Sequence, residues 1–356
     1  MELEENLDDQ ASSSNSSGTL PAAVQADENT ANFYSQFNDE EFKHEQNEKA
    51  SVFGPGGVAL PRLSELPELV HNDQIKIMCF TWNICAKPAS GLKRMHELFE
   101  KIPINDRPDV IAIALQELPN ATLKFHNRMV SGIGDAIQST HRVFCWVRKW
   151  TQMLIVFMKK RLCFYTSKPE YQFVSNGRLK NRIADYTKMA KMFNFLSLRP
   201  KHDHHRLVHP MKNADHIFWF GDLNFRLMNP DHVLDIVMKL GQNRAFRAVA
   251  QYKELLESDE LSLGRANGTV FEDFQEGIIM FPPTYKFLTG THHYVRRRVP
   301  AYTDRVVYWS KTGTSITPIR YDCVWDITLS DHKPVYCIFA VKVMENKVPT
   351  LTSRRV

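Results

Sequence analysis

Four short polar motifs, each at the end of an apolar run, carry the residues best suited to chemistry. They are Thr-Trp-Asn at 81–83, Leu-Gln-Glu at 115–117, Trp-Phe-Gly-Asp-Leu-Asn at 219–224 and Ser-Asp-His at 330–332. A fifth, Ala-Tyr-Thr-Asp-Arg at 301–305, adds another acid and a guanidinium. Carboxylates, amides and an imidazole on one sheet edge suit a hard metal ion and a phosphate ester.

The Gly-Asp-Leu-Asn motif has both a functional and a purely structural explanation. Gly221 permits a sharp turn that would present Asp222 and Asn224, although a helix cap or an ordinary turn explains such a motif equally well when it stands alone. Four polar tips on otherwise apolar strands are harder to assign to capping. The set as a whole therefore indicates a site.

The elements that must position these tips are predicted from apolar periodicity. Strands are expected at 75–84, 109–117, 144–147, 153–158, 217–220, 306–309 and 335–343, and helices near 91–101, 182–198 and 231–256. Strands outnumber helices and long βαβ crossovers are few. The pattern favours an α/β fold of two packed, mostly antiparallel sheets flanked by helices over a doubly wound nucleotide-binding sheet.

Charge and composition divide the chain. Residues 1–50 are acidic and Ser-rich, with a net charge of −10, and are expected to be disordered. Residues 51–72 form a predicted linker, 73–343 a catalytic domain and 344–356 a C-terminal tail. The 306 residues after the acidic segment carry +15, which favours polyanionic partners such as inositol phosphates, nucleic acid or an anionic membrane surface.

The six cysteines form no CxxC pair, so neither a zinc site nor a disulfide framework is predicted. No signal core or membrane-spanning apolar run is found. A soluble cytoplasmic protein, peripheral at membranes, is expected.

The motifs together resemble the inositol polyphosphate 5-phosphatase family, within the DNase I-like superfamily of metal-dependent phosphoesterases. The resemblance covers roughly 73–343. It rests on Trp-Phe-Gly-Asp-Leu-Asn-Phe-Arg at 219–226, Pro-Pro-Thr-Tyr-Lys-Phe at 282–287 and Arg-Arg-Val-Pro-Ala-Tyr-Thr-Asp-Arg-Val at 297–306. The nuclease relatives lack the last two. The family usually has Trp-Cys where this chain has Tyr302-Thr303.

The resemblance implies roles for the tips around a Mg²⁺ ion. Glu117, helped by Asn83, would hold the ion against the scissile phosphate, with Asp331 beside it. Asp222 would orient and deprotonate the attacking water, and Asn224 would position it. These roles agree with phosphate-ester chemistry, which needs charge neutralisation and a placed water.

The resemblance also implies the substrate contacts. His332 would contact the phosphate, oriented by Asp304. Arg305 is either a phosphate ligand or part of a structural ion pair, and the structural alternative is slightly preferred. Neighbouring phosphates on an inositol ring would be clamped by Tyr285, Lys286, Arg296 and Arg298.

One family segment is not found. The family's Asn-Lys-Gly-Gly turn and Asn-Ser-His-Leu strand end, whose histidine contacts the phosphate, are missing after the predicted strand pair. The join lies near Ser175–Gly177, and one or two core strands are expected to be absent. The loss predicts unpaired backbone groups, exposed apolar surface and impaired activity.

The resulting hypothesis is a Mg²⁺-dependent phosphatase that removes the 5-phosphate of phosphoinositides or inositol polyphosphates and has no nucleic-acid partner. Two alternatives stay open: a catalytically weak phosphoinositide-binding protein, and a nuclease-like phosphodiesterase of the same superfamily.

Overall fold

The protein is described by a computed structural model. The described residues are 60–62, 64–86, 96–100, 102–119, 123–167, 169–174, 182–193, 210–240 and 248–343. The acidic segment 1–50, the C-terminal tail 344–356 and the predicted join near Ser175–Gly177 lie outside them.

Two sheets form the framework. Their strands are β1 (Gln74–Asn83), β2 (Val110–Gln116), β3 (His141–Lys149), β4 (Gln152–Lys159), β5 (His216–Asp222), β6 (Gln275–Glu276), β7 (Asp304–Ser310), β8 (Ile316–Cys323) and β9 (Val335–Lys342). The larger sheet has the order β3-β4-β2-β1-β9-β8, and the smaller has the order β5-β7-β6. Only the β1–β2 pair is parallel among these strands, so both sheets are mostly antiparallel.

Before and between these strands the chain forms helices. They are α1 (Leu66–Leu69), α2 (Leu123–Asp135), α3 (Arg182–Met192), α4 (Pro230–Leu240), α5 (Ala248–Glu257) and α6 (Glu260–Ala266), and residues 96–100 are also helical. None of the described helices is long and apolar enough to span a membrane.

The alternation of side chains along a strand decides which of them reach the site. Along β1, Phe80 and Trp82 belong to the hydrophobic cluster on the α2 side of the large sheet, whereas Cys79 belongs to the cluster shared with β7 and β9. Because successive side chains on a strand point to opposite faces, Thr81 and Asn83 lie on the same face as Cys79. Asn83 therefore ends β1 on the face that meets the smaller sheet.

The predicted fold class is confirmed. The structure adds elements that the sequence analysis did not predict, namely helices α1, α2 and α6 and strands β6 and β8. The predicted helix over 231–256 is α4 and α5, on either side of residues outside the described part of the chain. The smaller sheet has three described strands, and β5 lies at its edge.

Candidate active site

The polar tips predicted from the sequence meet where the two sheets end. Asn83 is the last residue of β1, and Glu117 directly follows the end of β2, its parallel neighbour. Asp222 and Asp304 are direct partners in the antiparallel register of β5 and β7. Register alone therefore places two carboxylates side by side, and sequence spacing could not have paired them.

Asn83 connects the acids of the two sheets. Its side-chain Nδ2 donates to Glu117 Oε1 and to Asp222 Oδ2, at 3.0 Å each. Its Oδ1 accepts the backbone N–H of Cys85 at 3.0 Å, so the amide presents its donor side to the carboxylates. Asn83 thus positions Glu117 and Asp222 relative to each other.

The backbone at these tips is locally strained. Glu117 and Asn224 have positive φ angles of 51° and 60°, and Gly221 has a φ of 152°. Left-handed backbone is costly for residues with a side chain and occurs often at functional sites. At Gly221 the absence of a side chain removes that cost, and the turn places the Asp222 carboxylate beside Asn83. Asp222 is partly buried rather than projecting into solvent.

His332 is held by an acid, as the sequence analysis proposed. Its Nδ1 lies 2.9 Å from Asp304 Oδ2, and Asp304 is fully buried. The same Asp304 oxygen accepts hydroxyl bonds from Thr284 and Thr303, each at 2.9 Å. Thr303, at the position where the resemblance showed a departure, therefore supports the pair, a contact that the sequence analysis missed.

The electrostatics set the protonation of this pair. Burial alone would lower the pKa of His332, but the neighbouring Asp304, with Asp222 and Asp331, raises the pKa to about 9. At neutral pH the imidazole is therefore positively charged. Burial and the repulsion of Asp304 raise the pKa of Asp222 to about 6, against the opposing effects of His332 and of the bonds from Asn83 and the Asn224 N–H.

The donor set fits a hard cation. One group among the described residues, Asp222, Asp304 and His332, offers ligand atoms that lie within 4.8 Å of one another. Because His332 is protonated and bonded to Asp304, it is a poor ligand for a cation, and a carboxylate such as that of Glu117 is the better ligand. Asp304 Oδ1 is buried and finds no hydrogen-bond partner among the described residues, which marks unbalanced negative charge at the site.

The predicted substrate residues lie on one loop beside His332. The Tyr285 ring centroid is 4.5 Å from that of His332, and Lys286 Nζ forms an ion pair with Asp331 Oδ2. Burial would raise the pKa of Asp331, but the bond from Lys286 lowers it. The Asp331 carboxylate, predicted to lie beside a metal ion, is thus already paired with a predicted substrate residue.

The basic loop is close to this pair. Val295 donates its N–H to Lys286 O at 2.9 Å, and Arg298 donates its N–H to Val295 O at 3.0 Å. Arg296 and Arg298 are exposed at this turn. Backbone bonds thus hold this turn next to Lys286, and a phosphate contact from Arg296 or Arg298 stays a prediction.

Arg305 is not in the site. It is fully buried, donates from Nη1 to Asp259 Oδ2 at 2.7 Å and from Nε and Nη2 to the two Glu276 oxygens at 2.7 Å each. Of the two alternatives for Arg305, the phosphate ligand was therefore wrong, and the slightly preferred structural ion pair is what the structure has. Three of its five N–H donors are bonded to two carboxylates, and the whole side chain is buried, so a phosphate cannot reach it.

Arg226 is a candidate site residue that the sequence analysis did not single out. Its guanidinium lies 4.6 Å from the Tyr285 ring centroid, and Nη2 donates to Asn224 Oδ1 at 2.8 Å. It adds a cation beside the predicted water-positioning residue. Its occurrence two residues after Asn224 in the Asp-Leu-Asn-Phe-Arg motif was the available signal.

Comparisons with known proteins identify the class. A family model described as "Endonuclease/Exonuclease/phosphatase family 2" matches residues 151–338, which is more than half of the chain. The chain therefore belongs to this family. The resemblance to inositol polyphosphate 5-phosphatases is also confirmed: the chain is 35% identical over 173 residues to human phosphatidylinositol polyphosphate 5-phosphatase type IV.

The match to the human relative covers part of each protein. It covers 47% of this chain and 26% of the human protein, so the chain spans about a quarter of that relative's length. The inositol polyphosphate 5-phosphatase domain of SPsynaptojanin, in complex with inositol (1,4)-bisphosphate and calcium ion, superposes with a TM-score of 0.59 at 20% identity, covering 86% of this chain and 90% of that one.

A second solved structure has an unrelated ligand. Cimex nitrophorin, as its ferrous NO complex, gives a TM-score of 0.54 at 21% identity and covers 76% of this chain and 99% of its own. Both likenesses establish the fold. Function has to be argued from the site residues.

Proposed function

We propose that this chain is a Mg²⁺-dependent phosphomonoesterase that removes the 5-phosphate of phosphoinositides or inositol polyphosphates. The observation that carries the proposal is Asn83, whose amide joins Glu117 to Asp222 beside the Asp304–His332 pair. The names of the relatives, which include phosphatidylinositol polyphosphate 5-phosphatases, support the substrate class.

Each side chain has a task in this mechanism. Asp222, ionised above a pKa of about 6, would accept the proton of the attacking water, which Asn224 would help to position. His332, charged below a pKa of about 9, would donate to a phosphoryl oxygen from the nitrogen that Asp304 does not occupy. A Mg²⁺ ion held by Glu117 would neutralise phosphate charge when bound, which leaves the Asp222 carboxylate available as the base.

The remaining cations would recognise the substrate. Two cations, Lys286 and Arg226, lie over the Tyr285 ring. Two more, Arg296 and Arg298, are exposed on the same loop. Several cations around one loop suit a ring that carries several phosphates. Lys286 would exchange its bond to Asp331 for a bond to phosphate.

A catalytically weak phosphoinositide-binding protein is the second candidate, and two observations favour it. Residues 161–181 contain no histidine, so the predicted family contact from that region is missing. Every residue of the edge strand β5 except Gly221 is partly exposed. An incomplete second sheet would explain both and would lower turnover without removing the basic loop.

Phosphate release separates these candidates. The full chain should release phosphate from phosphatidylinositol 4,5-bisphosphate in vesicles and from inositol 1,4,5-trisphosphate with Mg²⁺, and neither reaction should proceed in EDTA. Glu117→Gln should likewise abolish phosphate release from both substrates in the presence of Mg²⁺. Binding of both ligands without release would favour the second candidate, and cleavage of abasic DNA in place of phosphate release would favour the nuclease-like alternative.

A further inference from the structure

The turn between β3 and β4 carries Trp150, the most exposed aromatic side chain among the described residues. β3 ends at Lys149, which pairs with Gln152 of β4, so Trp150 and Thr151 form a two-residue turn. Trp150 is 74% exposed. A large apolar side chain in this position contributes little to the stability of the fold, since most of its surface stays in water.

The backbone of the turn disfavours this residue as well. Trp150 has a φ of 52°, at a place where two-residue hairpins usually carry glycine or asparagine. Left-handed backbone is unfavourable for a bulky side chain. A residue that neither packs nor suits its backbone is best explained by a contact outside the chain.

The neighbours of Trp150 indicate which contact. Lys149 Nζ lies 5.5 Å from the Trp150 ring centroid and 5.2 Å from that of Phe173. Tyr171, which is 37% exposed, packs edge-on against Phe173 with centroids 5.6 Å apart. Tryptophan, tyrosine and lysine side chains with apolar bodies and polar ends are enriched where proteins meet the membrane interface.

The turn lies at the same sheet edge as the candidate site. Leu118 donates its backbone N–H to Thr151 O at 2.8 Å, and Leu118 directly follows Glu117. A surface touched by Trp150 therefore lies next to the end of β2. The net charge of +15 after residue 50 favours binding of the protein to an anionic surface in general, and Lys149 is a cation at the turn itself.

We propose that the β3–β4 turn, with Trp150 at its tip and Lys149 beside it, inserts into the headgroup region of an anionic lipid bilayer and holds the candidate site against it. The proposal rests on the proposed function only in that the substrate would be a lipid headgroup. Trp150 would bury its ring at the acyl boundary, while Lys149 would pair with anionic headgroups.

Vesicle sedimentation tests the proposal with the full chain. The vesicles contain phosphatidylcholine and phosphatidylserine without any phosphoinositide, so binding at the active site does not contribute. Trp150→Ala should lower the partition coefficient by about 10- to 100-fold, the loss expected from exposing one large apolar side chain. Lys149→Gln should weaken binding to these vesicles but not to pure phosphatidylcholine.

Ile319→Ala is the matched control. Ile319 is 54% exposed on β8, at the opposite edge of the large sheet from β3, and its replacement should leave vesicle binding unchanged. Thermal melts of all three variants should match that of the unmodified chain. Equal losses for Trp150→Ala and Ile319→Ala, or no loss for Trp150→Ala, would overturn the proposal, and a protein partner would then be the better occupant.

Hydrolysis of soluble inositol 1,4,5-trisphosphate separates this proposal from the proposed function. Trp150→Ala should leave its rate unchanged while lowering hydrolysis of the vesicle-bound lipid. A reduced rate with the soluble substrate would place Trp150 in the substrate site and overturn the membrane role. If the unmodified chain hydrolyses neither substrate yet binds vesicles through Trp150, the membrane-docking role of the turn is upheld and the proposed phosphatase function fails.

Discussion

Asp222→Asn is expected to make the protein more stable and much less active. The pKa of Asp222 rises from 3.8 to about 6 because the carboxylate is buried beside Asp304. At 1.36 kcal/mol per pKa unit, keeping it ionised at neutral pH costs about 3 kcal/mol. An amide removes that charge.

Part of this gain is offset. Asp222 accepts bonds from Asn83 Nδ2 and from the Asn224 N–H, and an asparagine can accept only one of them with its single oxygen. Losing one such bond costs about 1 kcal/mol. The net expected gain in the free energy of unfolding is therefore about 2 kcal/mol near pH 7.5.

The stability gain of Asp222→Asn should depend on pH, in a direction that follows from the raised pKa of Asp222. A carboxyl whose folded pKa lies above its unfolded pKa loses stability as pH rises between the two values, here from 3.8 to about 6. The advantage of Asp222→Asn should therefore be present at pH 7.5 and absent at pH 3.8 and below. Urea unfolding in EDTA at pH 7.5 and pH 3.8 measures it, with the exposed Asp326→Asn as the control.

Activity should move in the opposite direction. Removing a general base lowers turnover by about 100-fold or more, which Mg²⁺-dependent phosphate release would detect. A variant that is less stable at pH 7.5, or equally stabilised at both pH values, would refute the electrostatic argument. Undiminished phosphate release would refute the role of Asp222 as the base.

Three further predictions follow from the site and from the missing segment. Lys286→Ala with Arg298→Ala should weaken binding of inositol trisphosphate far more than of a monophosphate in calorimetry; equal losses would mean that these side chains supply only general charge. Arg305→Ala should lower the free energy of unfolding by about 3–5 kcal/mol in urea titrations, because Asp259 and Glu276 would lose their buried partner; a loss of ligand affinity at unchanged stability would contradict this. Inserting a family-type segment between Ser175 and Arg178 should raise both the Tm and the turnover number; equal rates before and after insertion would show that nothing essential is missing.

The sequence contained enough information to predict the main strands, and the structure brings several of the proposed site residues together. Apolar runs at 75–84 and 109–117 predict β1 and β2, because a strand buried on both faces needs apolar side chains almost throughout. The polar residues at the strand ends were predicted from the same runs, since a charged group directly after a buried strand lies where the strand leaves the core. Helix α2 was missed although its sequence is amphipathic. Strand β8 was missed because its apolar alternation is interrupted at a register shift between Pro318 and Arg320.

Only the tertiary structure decided which of these residues are neighbours. The pairing of Asp222 with Asp304 depends on the register of β5 against β7, two strands that are far apart in the chain. Arg305 follows Asp304 directly, yet it is fully buried between Asp259 and Glu276, because successive side chains on a strand point to opposite faces. Residue type and local spacing thus determine what chemistry is available, whereas register and packing determine which groups share a charge, a proton or a ligand.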